Sequence, residues 1–102
     1  MYKIKVTRQD AEKLLADVPE DRAFWCSDGR VFKNIRDLSD GLVNMSDETF
    51  NYHSNDEKRD FSNWLNDVVE DEKLAKDLSN SITRREAAKR VNDRVTLLNM
   101  KL

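Results

Sequence analysis

The sequence predicts a mainly helical fold, a compact bundle of five to six short helices with a small β-hairpin near residues 23–33. The chain has only two glycines and one proline among 102 residues, which favours long regular elements with few tight turns. Apolar residues recur at helical spacing behind residue types that cap helices. Residues 23–32 differ, because β-branched and aromatic residues there flank an Asp28-Gly29 pair suited to a turn between two strands.

The first half of the chain contains three predicted helices and the hairpin. Thr7 caps a helix whose apolar face ends at Val18. The hairpin follows, and its apolar side chains must pack on the helices because an isolated hairpin is only marginally stable in water. Asn34 caps a second helix, and Ser46 caps a third that ends near His53. The apolar positions of the second helix are Ile35, Leu38, Leu42 and Val43.

The second half contains three further predicted helices. Asn55 starts the fourth, with an apolar stripe formed by Phe61, Trp64, Leu65 and Val68. Asp71 caps the fifth, which buries Leu74, Ala75 and Leu78. Thr83 and Glu86 have the spacing of a capping box at the start of the last helix. Its apolar stripe is Ala88, Val91, Val95, Leu98 and Leu102.

Composition narrows the class of protein. With 38% apolar and 37% charged residues of both signs, and a net charge of −2, we expect residues 1–102 to form one folded domain with a polar surface. No apolar run is long enough to cross a membrane, and the first eight residues do not resemble a signal peptide. Cys26 is the only cysteine, which excludes an internal disulfide and a cysteine zinc site. These features favour a cytoplasmic protein.

The central part of the chain carries an ordered set of positions: Asp28-Gly29-Arg30-Val31, Leu38, Leu42, Met45-Ser46 and Phe50-Asn51-Tyr52-His53. The set continues with Asp60-Phe61, Trp64-Leu65, Asp67-Val68, Asp71 and Leu74-Ala75. This order resembles a family of small uncharacterised domains found in archaea and bacteria, over residues 23–95. The resemblance supports the fold and implies no activity, cofactor or partner. Glu70-Asp71 stands where that family more usually has Gly-Asp, at the junction of two helices.

One group of side chains has residue types found in catalytic or metal sites. His53 with the carboxylates of Asp56 and Asp60 is compatible with a metal ligand set or a general base. The structural interpretation is favoured, in which His53 ends a helix and Asp60 hydrogen-bonds its ring, because one histidine without a second strong ligand makes a poor site. Cys26 lies in an apolar strand, where an inert thiol is expected. Without a phosphate loop or nucleophile motif, the sequence predicts no enzyme, no metal and no cofactor.

The charge distribution suggests a second type of site. Residues 83–102 contain six basic and two acidic groups, a net charge of +4, against −6 for the rest of the chain. The basic residues considered as contacts are Arg84, Arg85, Lys89, Arg90 and Arg94. They are compatible with binding of nucleic-acid phosphates, with pairing to an acidic partner, or with pairing to the protein's own acidic residues 67–72. The third interpretation is favoured, because the charge is modest for a nucleic-acid-binding domain.

The aromatic side chains offer a last candidate surface. Trp25 and Trp64, with the four phenylalanines, are compatible with a binding face, but a small domain needs such residues in its core, so core positions are expected. The apolar seam of the last helix spans two heptads, fewer than a coiled coil needs, so of the two states considered, a monomer and a homodimer through that helix, packing within the molecule is favoured. The predicted function is a non-enzymatic module that binds another protein. The alternative is a nucleic-acid-binding domain that uses the basic last helix.

Overall fold

The computed structural model describes residues 6–79 and 82–102. This part of the chain contains six α-helices and one two-stranded sheet, which confirms the predicted helical fold with a small hairpin. In chain order the elements are α1 (Arg8–Leu15), a 3₁₀ turn (Glu20–Arg22), β1 (Phe24–Trp25), β2 (Val31–Phe32), α2 (Ile35–Asn44), α3 (Asp47–His53), α4 (Asp60–Trp64), a π-helical turn (Leu65–Val69), α5 (Glu72–Ser79) and α6 (Arg84–Met100). The first eight residues are not predicted to be a signal peptide, and residues 1–5 of that segment lie outside the described residues.

The hairpin forms where the sequence predicts it. β1 and β2 are antiparallel, with Phe24 opposite Phe32 and Trp25 opposite Val31. Gly29 has a φ of 96°, and its backbone N–H donates to the Cys26 carbonyl at 3.0 Å. Because only glycine adopts such a φ without strain, Gly29 allows the chain to reverse within residues 27–29.

The predicted caps hold four helices. The Thr7 hydroxyl accepts from the backbone of Asp10, whose carboxylate accepts from the Thr7 N–H, so α1 has a complete capping box. Asn34 and Ser46 cap α2 and α3 with their side-chain oxygens. The Thr83 hydroxyl accepts from the third backbone N–H of α6 at 3.1 Å, which satisfies a donor that the helix leaves unpaired.

The predicted start of the fourth helix is wrong. α4 begins at Asp60, five residues after Asn55. The Asn55 side-chain oxygen accepts from the backbone N–H groups of Glu57 and Lys58, at 2.9 and 3.0 Å, and this bonding holds a turn instead of a helix. The asparagine therefore acts as a turn residue, a role that the same residue type fills as readily as a helix cap.

The segment between α4 and α5 contains a residue with left-handed backbone conformation. Glu70 has φ 66° and ψ 34°. The backbone N–H of Asp71 reaches back to the Leu65 carbonyl at 2.9 Å, which satisfies an acceptor at the helix end. The Asp71 carboxylate then accepts from the Leu74 N–H at 3.1 Å, so the predicted cap of α5 is confirmed.

The helices α2 and α6 run alongside each other in opposite directions. At one end, Arg36 donates to the Asn99 side chain at 2.6 Å. At the other end, the Arg84 guanidinium donates to the Leu42 carbonyl at 2.9 Å. Gly41 faces the Phe32 ring so closely that a Cβ on it would lie 2.3 Å from a ring carbon. The absence of a side chain at this position therefore lets α2 pack directly on the hairpin.

One hydrophobic core joins these elements in the described residues. Its fully buried large side chains are Ile35, Leu38, Leu42, Leu65, Leu74, Val91 and Leu98. Two predicted apolar positions are wrong: Val43 is 61% exposed on the outer side of α2, and Leu102 is 51% exposed beyond the end of α6. None of the helices in residues 6–79 and 82–102 combines the length and apolar character needed to cross a bilayer.

Candidate functional site

The hairpin has two faces with different surroundings. Residues directly opposite each other in an antiparallel pair point to the same side of the sheet. Phe24 and Phe32 form the inner face, with stacked rings whose centroids are 5.8 Å apart in the core. Trp25 and Val31 form the outer face, where the tryptophan is 73% exposed and the valine is half-buried.

The expectation that the large aromatic side chains are buried is therefore wrong for Trp25. It is confirmed for Phe24, Phe32, Phe50, Phe61 and Trp64. The cause is strand geometry, since successive side chains alternate between faces and both neighbours of Trp25, Phe24 and Cys26, point into the core. The Phe-Trp-Cys order within a predicted strand contains this signal, because three consecutive strand residues cannot all face one side.

A second exposed aromatic side chain lies on α3. Tyr52, near the end of α3, is 58% exposed, and its ring contacts that of His53 edge to face at 5.0 Å. Lys58 places its ammonium 4.0 Å from the centre of the tyrosine ring, a cation–π contact that limits the motion of both side chains. His53 in turn accepts a hydrogen bond from the hairpin residue Ser27 at 3.0 Å. We call the outer face of the hairpin, formed by Trp25 and Val31, the aromatic face.

His53 and Asp60 meet as predicted, whereas Asp56 stays apart. The Asp60 carboxylate lies 2.9 Å from Nδ1 of the histidine, which is only 5% exposed, while Asp56 is exposed in the turn before α4. Among residues 6–79 and 82–102 there is no group of three or more histidine, cysteine or acidic side chains arranged to hold a metal ion. The His53 ring is packed among aromatic side chains, so its nitrogens serve the hydrogen bonds within the protein.

Cys26 is buried in the hairpin. Burial raises the pKa of its thiol, and the nearby Asp28 carboxylate acts in the same direction. Because the thiolate is the reactive form, a raised pKa and restricted access both lower the reactivity of this cysteine. The expected inert core thiol agrees with this geometry.

Two basic residues of α6 bind the protein itself. Arg84 pairs with Asp47 at 2.8 Å and also donates to backbone carbonyls at the end of α2. Arg94 donates to both carboxylate oxygens of Asp71, at 2.9 and 3.0 Å, and both side chains are nearly buried. Asp71 belongs to the acidic segment 67–72, which is predicted to pair with the basic residues of the last helix. A charged group bonded and buried in this way is not exposed to an external phosphate.

The other three basic residues differ in their surroundings. Lys89 pairs with Asp93 one turn away at 2.9 Å. Arg90 donates to the Asp77 carbonyl and lies 3.7 Å from the Glu86 carboxylate. Arg85 is exposed, and no ion pair involves it within the described residues. The five cations therefore do not form one shared, unpaired surface along α6.

An open groove between α4 and α5 has a volume of about 620 Å³. Its lining is mainly polar, with Asn63, Asn66, Glu72 and Lys76 among the contributing side chains. His53 and Trp64 are buried elsewhere, so the groove does not bring them to a cleft with converging carboxylates.

In comparisons with protein-family models, with curated proteins and with solved structures, nothing matches this chain. The resemblance of residues 23–95 to the archaeal and bacterial family of small domains therefore stays a prediction.

Proposed function

We propose that the protein is a non-enzymatic module that binds another protein through the aromatic face. The observation that carries this proposal is the position of Trp25, a large apolar side chain that is 73% exposed on the outer face of the hairpin. Tryptophan and tyrosine contribute much of the binding energy in protein interfaces, because they bury a large area and lose few rotamers. Trp25 supplies such a side chain on a strand whose other face packs in the core.

The aromatic face is anchored from behind by the core and by α3. The inner side of the hairpin packs into the core through Phe24, and the Ser27–His53 hydrogen bond ties the hairpin to α3. A side chain that is held before binding loses less conformational entropy when it enters an interface. Single exposed apolar residues are common on protein surfaces, but Trp25 has an apolar neighbour, because Val31 lies directly opposite it on the same face of the hairpin.

We place this module in a reducing compartment such as the cytoplasm, where the buried thiol of Cys26 remains unpaired. Nucleic-acid binding is the weaker alternative, since Arg84 and Arg94 are engaged in internal contacts. We infer no catalytic activity, because the one histidine and the one cysteine both have structural surroundings.

The test is an affinity capture from lysate of the source cells with three baits: the unaltered protein, Trp25→Ala and Met100→Ala. Met100 is the matched control, because it is 77% exposed on α6 and lies outside the aromatic face. We expect the same protein to be recovered by the unaltered bait and by Met100→Ala, and at least tenfold less by Trp25→Ala. A urea titration should show that the free energy of unfolding changes by less than about 0.5 kcal/mol in both variants.

Three results would contradict the proposal. The first is that no protein exceeds background, and the second is that Trp25→Ala recovers as much as the unaltered bait. The third is a recovery that disappears after nuclease treatment, which would favour the nucleic-acid alternative.

A further inference from the structure

His53 is the only histidine in the sequence and joins the hairpin to two helices. Its Nε2 accepts from the Ser27 backbone N–H at 3.0 Å, and its Nδ1 lies 2.9 Å from an Asp60 carboxylate oxygen. A backbone N–H can only donate, so Nε2 carries no proton in this arrangement. The single ring proton is therefore on Nδ1 and is donated to Asp60, and the imidazole is neutral.

Protonation of Nε2 would place two N–H donors opposite each other. The His53 ring has little room to move, because it contacts Phe24 at 5.2 Å and Phe61 at 5.3 Å between ring centroids. At the Nδ1 edge of the ring, the Asp60 carboxylate accepts a hydrogen bond and would attract the imidazolium. The Ser27 N–H must therefore move away from Nε2, while the ring stays in place.

Three backbone N–H groups of the hairpin turn donate to acceptors within the hairpin. The Cys26 N–H donates to the Arg30 carbonyl at 2.8 Å, and the Gly29 N–H donates to the Cys26 carbonyl at 3.0 Å. The Arg30 N–H donates to the Asp28 carboxylate at 3.0 Å. Loss of the Ser27–His53 bond leaves all three of these bonds intact.

The neighbouring titratable groups of the hairpin keep their charge state in mild acid. Burial raises the pKa of Cys26, so its thiol stays protonated. Burial alone would also raise the pKa of Asp28, but hydrogen bonds from Arg30 and Cys26 hold it below its ordinary value, so it stays ionised.

The helices and the intervening turn contribute three more groups around the ring. They are Asp60, Lys58, whose ammonium lies 3.3 Å from the same Asp60 oxygen, and the Tyr52 phenol. Among protein side chains, imidazole is the type whose charge ordinarily changes between about pH 5 and pH 8.

We propose that His53 is an acid-sensitive latch, whose protonation releases the hairpin turn, residues 27–30, from α3. This turn joins the two strands that carry Trp25 and Val31, so the latch controls how firmly the aromatic face is supported. This inference goes beyond the proposed function and does not require a partner to exist.

The test is a two-dimensional NMR titration of the ¹⁵N-labelled protein from pH 8 to pH 5. The ring signals of His53 report its protonation, and the Ser27 amide reports the latch. We expect both to change with one midpoint, and the exchange protection factor of the Ser27 amide to fall by roughly fivefold to tenfold, as expected for a lost hydrogen bond. The inference is overturned if the ring protonates without a change at Ser27, or if the ring stays neutral until the protein unfolds.

Two variants separate the latch from a general effect of acid. In His53→Gln the side-chain oxygen reaches the position of Nε2 and accepts from Ser27 at every pH, so the Ser27 amide should lose its pH response. In Asp60→Asn the ring loses its anionic partner, and the midpoints of the ring and of the Ser27 amide should stay equal to each other. Midpoints that separate in Asp60→Asn would contradict the latch even if His53→Gln does not fold.

Discussion

Glu70 occupies a backbone conformation that suits glycine. Among the described residues it is the one non-glycine residue with a positive φ, and its side chain is exposed. We expect Glu70→Gly to raise the free energy of unfolding by about 0.5–1 kcal/mol, because the steric strain between Cβ and backbone disappears. Urea denaturation checks this value. Glu70→Ala is the control, since it removes the carboxylate but keeps Cβ; an equal gain in Ala would show that backbone strain is not the cause.

Gly41 tests the close contact between α2 and the hairpin. A Cβ at this position would lie 2.3 Å from a carbon of the buried Phe32 ring. We expect Gly41→Ala to lower the free energy of unfolding by about 1–3 kcal/mol, although alanine favours a helix more than glycine does. Thermal and urea unfolding measure the loss. In a Phe32→Leu background the additional cost of Gly41→Ala should shrink, and an unchanged cost would place the clash elsewhere.

The thiol of Cys26 gives a third prediction for a single residue. Because burial raises its pKa, the thiolate fraction at pH 8 is lower than for an exposed cysteine, and access is also restricted. We expect a thiol reagent to modify the native protein at least tenfold more slowly than the urea-unfolded protein. Equal rates in the two states would mean that the hairpin does not bury this side chain in solution.

For the helical elements, the pair Asp71–Arg94 has the largest expected effect on stability. Asp71 both caps α5 and binds the guanidinium of α6, with side chains that are 1% and 10% exposed. We expect Arg94→Met to lower the free energy of unfolding by about 3–5 kcal/mol, because the Asp71 carboxylate would stay buried without its partner. The double variant Asp71→Asn with Arg94→Met should recover more than half of this loss in urea titrations. A single variant as stable as the original protein would show that the pair is solvated.

The element boundaries show where sequence patterns succeed and where they fail. Thr7, Asn34 and Ser46 are each followed within four positions by the first apolar residue of the helix, and each caps its helix as predicted. The first apolar residue after Asn55 is six positions away, and the Asn55 side chain bonds nearby backbone N–H groups, so that α4 begins only at Asp60. Local hydrogen bonds of this kind depend on the backbone path, which periodicity does not encode.

The candidate sites were predictable to different degrees. The His53–Asp60 contact follows from a helix end beside a carboxylate, and the structure contains it. The Ser27 donor was missed, because a backbone N–H leaves no trace in residue types. The acidic partner of the last helix was predicted as residues 67–72, but the choice of Asp71 depends on how α5 and α6 pack, a tertiary property.

For the molecule as a whole, the internal pairing of charges predicts weak attraction to nucleic acid. We expect no binding of a 20-base-pair duplex at about 50 mM salt by fluorescence anisotropy, although the last helix is basic. The variant Asp47→Asn with Asp93→Asn is a useful comparison, because it leaves Arg84 and Lys89 without their carboxylates. Tight, strongly salt-dependent binding by the unaltered protein would support the nucleic-acid alternative.

The antiparallel packing of α2 and α6 has a consequence for synthesis of the chain. Leu98, on the last helix, is fully buried in the same core as Leu38 and Leu42 of α2. The ribosome makes α6 after every other described element, so the growing chain cannot complete its hydrophobic core until residues 84–100 have left the exit tunnel. Until then the inner face of α2 remains available to chaperones.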